Sequence, residues 1–414
     1  MQSTMTEQAL APVRASYFIY ACILAAAFMA FLSFGVRTSF GIFLEPILTE
    51  RGWEREVFGL ALAIQNLVWG LAQPVAGAFA DSRGYGRVLI GGVALYVLGT
   101  AGMAFADTPM AFYMLGGVVT GLGLAGASWT ICVGAAVRLA PPHLQGWATG
   151  LAVAACSLGQ LTLVTLGQSF IAAYGWHVAL YLMAAGVAVM IPGVMLLASG
   201  TGKSTAAPRS SLSETLRAAA GSRSFWLVSA GFMICGLHAG FVFTHLPAYA
   251  TSIGLTPEIG AWALAAVGLT NLFSSYMVGI LGERISKRKI LIWIYALRAA
   301  ALCAIVLYPG QSWALLLIAA SLGIFWMSSI PPTSRLLGQI FGPYFTGTLL
   351  GAVFFGHQVG AFIGAWLGGA IYDATGSYDA MWWFCAALSA LAVILNYPVD
   401  ERARAAHDSR PATA

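Results

Sequence analysis

Charge is what this sequence has least of. Only 8% of its 414 residues are Asp, Glu, Lys or Arg, against about 25% in ordinary soluble domains. Paired cysteines are missing too. Six are present (Cys22, Cys132, Cys156, Cys235, Cys303, Cys385), each alone inside an apolar segment. No CxxC or Cys/His spacing occurs, which excludes a disulfide framework and a structural zinc site; no metal or other cofactor is expected. Carboxylates are absent from the apolar interior: all fifteen acidic residues fall in loops, tails or at the ends of apolar segments. That absence argues against an enzyme with acid–base chemistry at membrane depth. It also argues against a pump built on a mid-membrane acid. The net charge of +5 needs no nucleic-acid partner, because the basic residues sit in particular loops.

What remains is apolar. The chain is 59% hydrophobic with a mean hydropathy of +0.81, and its apolar runs reach the roughly 18 residues or more that cross a bilayer. The first run is too long for a signal-peptide core, and no small-residue cleavage site follows it. Polar breaks divide the chain into twelve predicted spans: 17–46, 55–80, 86–106, 109–138, 145–172 and 177–198, then 224–250, 258–282, 290–308, 312–337, 344–372 and 379–398. The expectation is an all-α membrane protein of twelve transmembrane helices in two six-helix halves. Its parts are an N-terminal tail (1–16), a first half (17–199), a polar linker (200–223), a second half (224–398) and a C-terminal tail (399–414).

Lys and Arg orient the spans. With the N-terminus inside, sixteen of the twenty basic residues, among them Arg83, Arg87, Arg138, the linker's four, Arg284, Lys287, Arg288, Lys289 and Arg335, fall on the cytoplasmic side. Only Arg51 and Arg55 fall opposite, beside Glu50, Glu54 and Glu56. Both termini are therefore expected in the cytoplasm, with the chain in the cytoplasmic (inner or plasma) membrane.

The two halves repeat each other at an offset of 201 or 202 residues. Gly35, Arg37, Phe40 and Pro46 match Gly236, His238, Phe241 and Pro247; Gly77 and Asp81 match Gly279 and Glu283; Gly150, Gly159 and Gly175 match Gly351, Gly360 and Gly376. Duplicated membrane folds of this kind place a binding site near the midplane, between the halves.

Two residues of the twenty basic ones remain inside apolar spans, Arg37 and Arg298. A charge at that depth costs several kcal/mol and marks a functional site by default; the bland alternative for Arg37 is snorkelling to the headgroups. Arg37, His238, His245, Arg298 and His357 form a cationic or titratable set with no acid among them. Such a set suits an anionic cargo whose carboxylate supplies the missing countercharge. Arg298 reads as structural, bonded to backbone carbonyls of a neighbour. Asn66, Gln65, Gln160 and Gln358 either line a cavity or bridge helices. Tyr113, Trp129 and Phe355 could shape a pocket, although packing is the commoner role for each.

The loop run Gly77…Asp81-Ser82-Arg83-Gly84-Tyr85-Gly86-Arg87 and its second copy, Gly279…Glu283-Arg284-Ile285-Ser286-Lys287-Arg288-Lys289, resemble the paired loop motif of the major facilitator superfamily. The likeness covers essentially the whole chain. It implies alternating access, with Gly77, Asp81, Arg87, Gly279, Glu283, Arg284 and Arg288 in a conformational latch. It also implies that the first, fourth, seventh and tenth helices line the cavity. Within that superfamily, the run Trp147-Ala148-Thr149-Gly150-Leu151-Ala152-Val153-Ala154-Ala155-Cys156-Ser157-Leu158-Gly159, together with Gly356-His357-Gln358 and Trp366…Tyr372-Asp373…Tyr378-Asp379, is similar to monocarboxylate transporters, including bacterial members and the oxalate–formate exchangers. In that group a first-helix cation falls on Arg37. The group's eighth-helix Asp/Arg pair stands here as Asn271 and Ser275, which removes an acid used for proton coupling and a second cation for the carboxylate.

The resulting expectation is a transporter, not an enzyme, for small organic anions such as mono- or dicarboxylates. It would work as a monomer in the bilayer, with a proton or an exchanged anion as coupling partner. Arg37, His238, Asn271 and His357 are the substrate contacts, and Arg335, Ser275, Gln358 and Tyr113 are gate or secondary positions. The rival reading is an exporter of neutral or amphipathic compounds with Arg37 structural; a membrane sensor or enzyme is more remote.

Overall fold

A computed structural model describes residues 2–200, 217, 219–341 and 346–401. Side chains at 2–16, 200, 275, 276, 279, 282, 283 and 346–348 lie outside the description, as does most of the linker expected at 200–223. Every regular element among the described residues is helical. In a bilayer no water is available to backbone N–H and C=O groups, and a helix satisfies them within one segment.

The first helices are α1 (Gln2–Ser39), α2 (Leu44–Arg51), α3 (Arg55–Arg83) and α4 (Tyr85–Gly102). There follow α5 (Pro109–Phe112), a π-turn (Tyr113–Val119), α6 (Thr120–Ala127), α7 (Trp129–Leu139), α8 (Pro142–Ala188) and α9 (Ile191–Gly200). After the linker come α10 (Arg223–Ser252), α11 (Pro257–Arg284), α12 (Lys287–Leu307), α13 (Ser312–Ile324), α14 (Ile330–Phe341), α15 (Thr346–Thr375) and α16 (Asp379–Asn396).

Ten stretches among the described residues are long and apolar enough to cross a membrane. One of them, Pro142–Ser199, has 58 residues, or roughly 87 Å of helix at 1.5 Å per residue, twice the thickness of a bilayer with its headgroups. It is broken at Gly175, where φ is +78° and ψ is 164°. Only a residue without Cβ enters that region at little cost. The expected fifth and sixth spans are thus joined through a one-residue turn.

Small residues set the closest helix contacts, as in membrane bundles generally. Helices α1 and α8 pack together, and so do α10 and α15. A Cβ on Gly35 would stand 2.6 Å from the carbonyl oxygen of Gly159, and one on Gly236 would meet the carbonyl of His357. In return, Gly159 faces the backbone of Phe31 and Gly360 that of Met233. Two further pairs, α3 with α15 and α8 with α11, join what the sequence divides into halves.

Two helices are interrupted at similar positions. Between α6 and α7, Ser128 turns to an extended ψ of 155°. Between α13 and α14, Trp326 leaves helical geometry (φ −80°, ψ −85°) and a short 3-10 turn, Met327–Ser329, follows. The second break frees carbonyls, and Arg298 of α12 fills them. Its Nη2 donates to the carbonyl of Phe325 and, at 3.4 Å, to that of Trp326. These contacts agree with the structural reading of this fully buried arginine, while its Nε and Nη1 find no partner.

Candidate functional site

The two ends of the bundle differ in charge. At the acidic end, Arg55 of α3 pairs with Glu45 at 2.5 Å and donates from Nη1 to the Tyr378 hydroxyl at 2.9 Å. That hydroxyl contacts His245 Nδ1 at 3.1 Å, and the opposite ring nitrogen contacts the Ala365 carbonyl at 2.8 Å. The carbonyl can only accept, so Nε2 carries the proton and Nδ1 accepts from the phenol. Asp373 accepts from the first amides of α3, Arg55 N at 3.1 Å and Glu56 N at 2.7 Å, the place where a helix N-terminus favours an anion. Trp366 Nε1 donates to Glu56 at 2.8 Å. This network ties α2, α3, α10, α15 and the turn before α16 into one cap. Burial pushes the Tyr378 phenol well above its ordinary value, against the lowering effect of Arg55, so it stays neutral and able to donate.

Beneath that cap lies a cavity. Arg37 of α1 forms part of its wall and is 9% exposed. Its Nη2 donates to Asn66 Oδ1 at 2.5 Å. The guanidinium carbon lies 5.6 Å from the ring centres of both Trp69 and Phe243, close enough for cation–π attraction. Its Nε has no partner, and no carboxylate pairs with it among the described residues. A buried cation without a counter-charge costs several kcal/mol.

The hydrogen-bond row continues past Asn66. Its Nδ2 donates to the Leu62 carbonyl at 2.8 Å, and its own carbonyl accepts from Gln358 Nε2 at 3.3 Å. Gln358 Oε1 accepts from His357 Nδ1 at 3.0 Å. Gln358 and His357 both face the cavity. Three helices, α1, α3 and α15, are therefore linked by one polar row beside the cavity.

The cavity continues toward the basic end. A second space shares Trp129, Met327 and Ile330 with it. That space in turn shares Val153 and Pro331 with a wide cleft between α8, α11 and α14, whose wall includes Arg335.

The structure brings together Arg37, His357 and Gln358 and keeps other expected contacts away. His238 is fully buried, and its Nε2 donates to the Cys385 carbonyl of α16 at 2.9 Å; it faces away from the cavity. Asn271 sits behind the wall, donating to Ser157 Oγ at 3.1 Å and accepting from the Met327 amide at 3.2 Å. It braces the break in front of α14. Tyr113 opens the π-turn and is not a cavity residue. The side chain of Ser275 lies outside the described residues, as do Glu283 and any atoms beyond the backbone at Gly279.

In the first loop motif, Asp81 at the end of α3 accepts from the Tyr85 hydroxyl at 3.1 Å and from Arg138 at 3.4 Å. Gly77 has open space about it, and Arg87 is exposed. In the second, Arg284 is exposed, while Arg288 donates to the Tyr397 carbonyl at 3.1 Å and its amide to Glu401 at 2.6 Å. Sequence reasoning left Asn66 undecided and named neither Trp69 nor Phe243. The available signal was the i, i+3 spacing of Asn66 and Trp69, which puts both on one helix face.

A polytopic helical bundle with a charged, partly apolar cavity reached from one end is the build of a solute transporter. The sequence profile of the Major Facilitator Superfamily matches residues 26–261 and 246–413, and the chain belongs to that superfamily. Among curated proteins it is similar to monocarboxylate transporter 12 of Rattus norvegicus, 23% identical over 319 residues, 68% of this chain and 65% of the relative. It thus spans just under two thirds of that relative. It is also similar to monocarboxylate transporter 13 of Rattus norvegicus, 24% identical over 372 residues and covering 86% and 83% of the two chains. The uncharacterized MFS-type transporter YcxA of Bacillus subtilis (strain 168) is 23% identical over 399 residues, 90% and 94% of the two. The protein is a membrane transporter and not an enzyme.

Proposed function

We propose that the chain carries small organic anions, mono- or dicarboxylates, by alternating access between two six-helix halves. Twelve membrane passages follow if Pro142–Ser199 crosses twice at Gly175 and Pro257–Arg284 crosses once. The halves are supported by the repeat offset and by the matching glycine contacts of α1 with α8 and of α10 with α15. Basic loops support an orientation with the Arg138 and Arg288 end, and both termini, in the cytoplasm, within the inner or plasma membrane. The carrier works as a monomer, and a proton or an exchanged anion balances the charge moved.

One observation carries the substrate class: Arg37 is a buried guanidinium on the cavity wall with a free Nε and no carboxylate partner. The cargo's carboxylate fills that vacancy, His357 and Gln358 add hydrogen bonds, and Asn271 and His238 hold the frame behind them. Arg335 meets the anion at the mouth of the cleft. The names of the relatives, monocarboxylate transporters 12 and 13, support the same class.

The test is uptake of labelled mono- and dicarboxylates into proteoliposomes by the parent, Arg37→Ala and Arg37→Lys. Truncating one member of a buried charge pair costs about 2–5 kcal/mol, so Arg37→Ala should weaken uptake by roughly 30-fold or more, and Arg37→Lys should retain part of it. Full uptake by both variants would leave the rival reading, export of neutral or amphipathic compounds with Arg37 as a brace between α1 and Asn66.

A further inference from the structure

Rings dominate the cavity wall. Phe34, Trp69, Trp129, Phe232, Phe243 and Trp326 line it, with Phe354 beside them. They form two rows. In one, Trp69 meets Phe354 edge to face, with centres 5.6 Å apart and planes at 73°; Phe354 stacks on His357 at 5.8 Å, and His357 lies 5.0 Å from Phe232. In the other, Phe243 contacts Trp326 at 5.0 Å. Arg37 touches the first ring of each row, Trp69 and Phe243. An anion bound at Arg37 therefore has its body between two rows of aromatic faces and edges.

Among the described residues the wall carries one fixed cation, Arg37. Arg298 points into backbone carbonyls behind the break, and Arg335 lies at the distant cleft. A second carboxylate on the cargo would sit against ring faces, whose quadrupole repels anions, with no charged donor to replace its lost hydration. A two- or three-carbon acid held at Arg37 offers no ring to meet either row.

We propose that the cargo of this site is a monoanion with an aromatic body: one carboxylate on the Arg37 guanidinium and an arene between the Trp69–Phe354 and Phe243–Trp326 rows. This rests on the carboxylate reading above and narrows it. Arene edges and faces pair with the rings in the offset or T-shaped geometries that aromatic groups prefer.

The experiment is isothermal titration of the purified full chain in nanodiscs with phenylacetate, phenylacetamide, lactate and succinate. Phenylacetate is expected to bind at least tenfold tighter than lactate or succinate, and phenylacetamide much more weakly than phenylacetate. Phe354→Leu keeps an apolar side chain of similar reach and removes the ring; it should weaken phenylacetate by about tenfold, the worth of a good ring pair, and weaken lactate by clearly less. Lactate or succinate binding as tightly as phenylacetate would overturn the arene assignment and leave the carboxylate reading standing. Phenylacetamide binding as tightly as phenylacetate would overturn the carboxylate reading itself. Binding by none of the four removes both. Should Phe354→Leu fail to fold, the four-probe order in the parent decides alone.

Discussion

The two ends of this transporter are built on opposite terms. At the acidic end, helices touch backbone to backbone and are stitched by Arg55, Asp373, Tyr378 and His245. At the basic end, α8, α11 and α14 stand apart around a cleft, and the ties are a few exposed pairs such as Arg138 with Asp81. The glycines record the difference. A Cβ on Gly369 would stand 2.6 Å from the Arg55 carbonyl oxygen, whereas Gly146 and Gly150 have nothing within 4 Å. The lesson is that the described conformation is closed by packing on one side and merely unblocked on the other.

One substitution applied at both ends should split most widely. Gly369→Ala forces the α3–α15 contact apart and should cost about 1–3 kcal/mol, as overpacking does. Gly150→Ala meets open space and should be neutral or stabilising by up to about 1 kcal/mol through helix propensity. Thermal midpoints in detergent, followed by circular dichroism, check the pair; equal shifts would erase the contrast.

Removing the stitching should have the next largest effect. Arg55→Ala deletes an ion pair and a charged hydrogen bond and should cost about 2–3 kcal/mol. Tyr378→Phe, which keeps the ring and loses only the hydroxyl bridge to His245, should cost about 1–2 kcal/mol. The pH dependence sharpens this. The bonded form of Tyr378 is the neutral phenol, and burial raises its value in the folded chain. Its contribution is complete below the unfolded value of about 10 and fades only as pH rises through the higher folded value. The difference in midpoint between the parent and Tyr378→Phe should therefore be the same at pH 7 and pH 9. A difference that shrinks by pH 9 would mean the phenol ionises early and the bridge is weaker than its geometry.

The smallest effect belongs to the basic end. Arg138→Ala removes a pair whose partner side chain is 63% exposed, and such pairs are worth about 0–1 kcal/mol. A loss comparable with Arg55→Ala would show the two ends to be equally tied.

Arg37 stood out in the sequence because a guanidinium in an apolar run either snorkels to the headgroups or lines a cavity, and the structure puts it on the cavity wall. The helical class was legible because run length and hydropathy respond to one physical demand, the hydrogen bonding of backbone in lipid. The aromatic walls were not. Every face of a membrane helix is apolar, so no period separates a ring facing the cavity from one facing lipid; Phe354, which no sequence signal singled out, lines the cavity. His238 shows a different limit. The repeat places its backbone at the position of Arg37, yet the side chain turns toward α16 and bonds to Cys385. A duplicated register preserves where a residue stands and says nothing about which neighbour its side chain finds. Asn66 stayed ambiguous because a neutral amide serves equally as a bridge or a wall.

The glycine contacts carry a consequence for how such proteins diverge. Where α1 meets α8 and α10 meets α15, the contact is made by main chain against main chain, so the frame holds no memory of the side chains around the cavity. Rings and charges on the cavity wall can be exchanged over generations without disturbing those joints. A lineage can thus drift to new cargo one residue at a time, while the scaffold stays recognisable at identities as low as 23%.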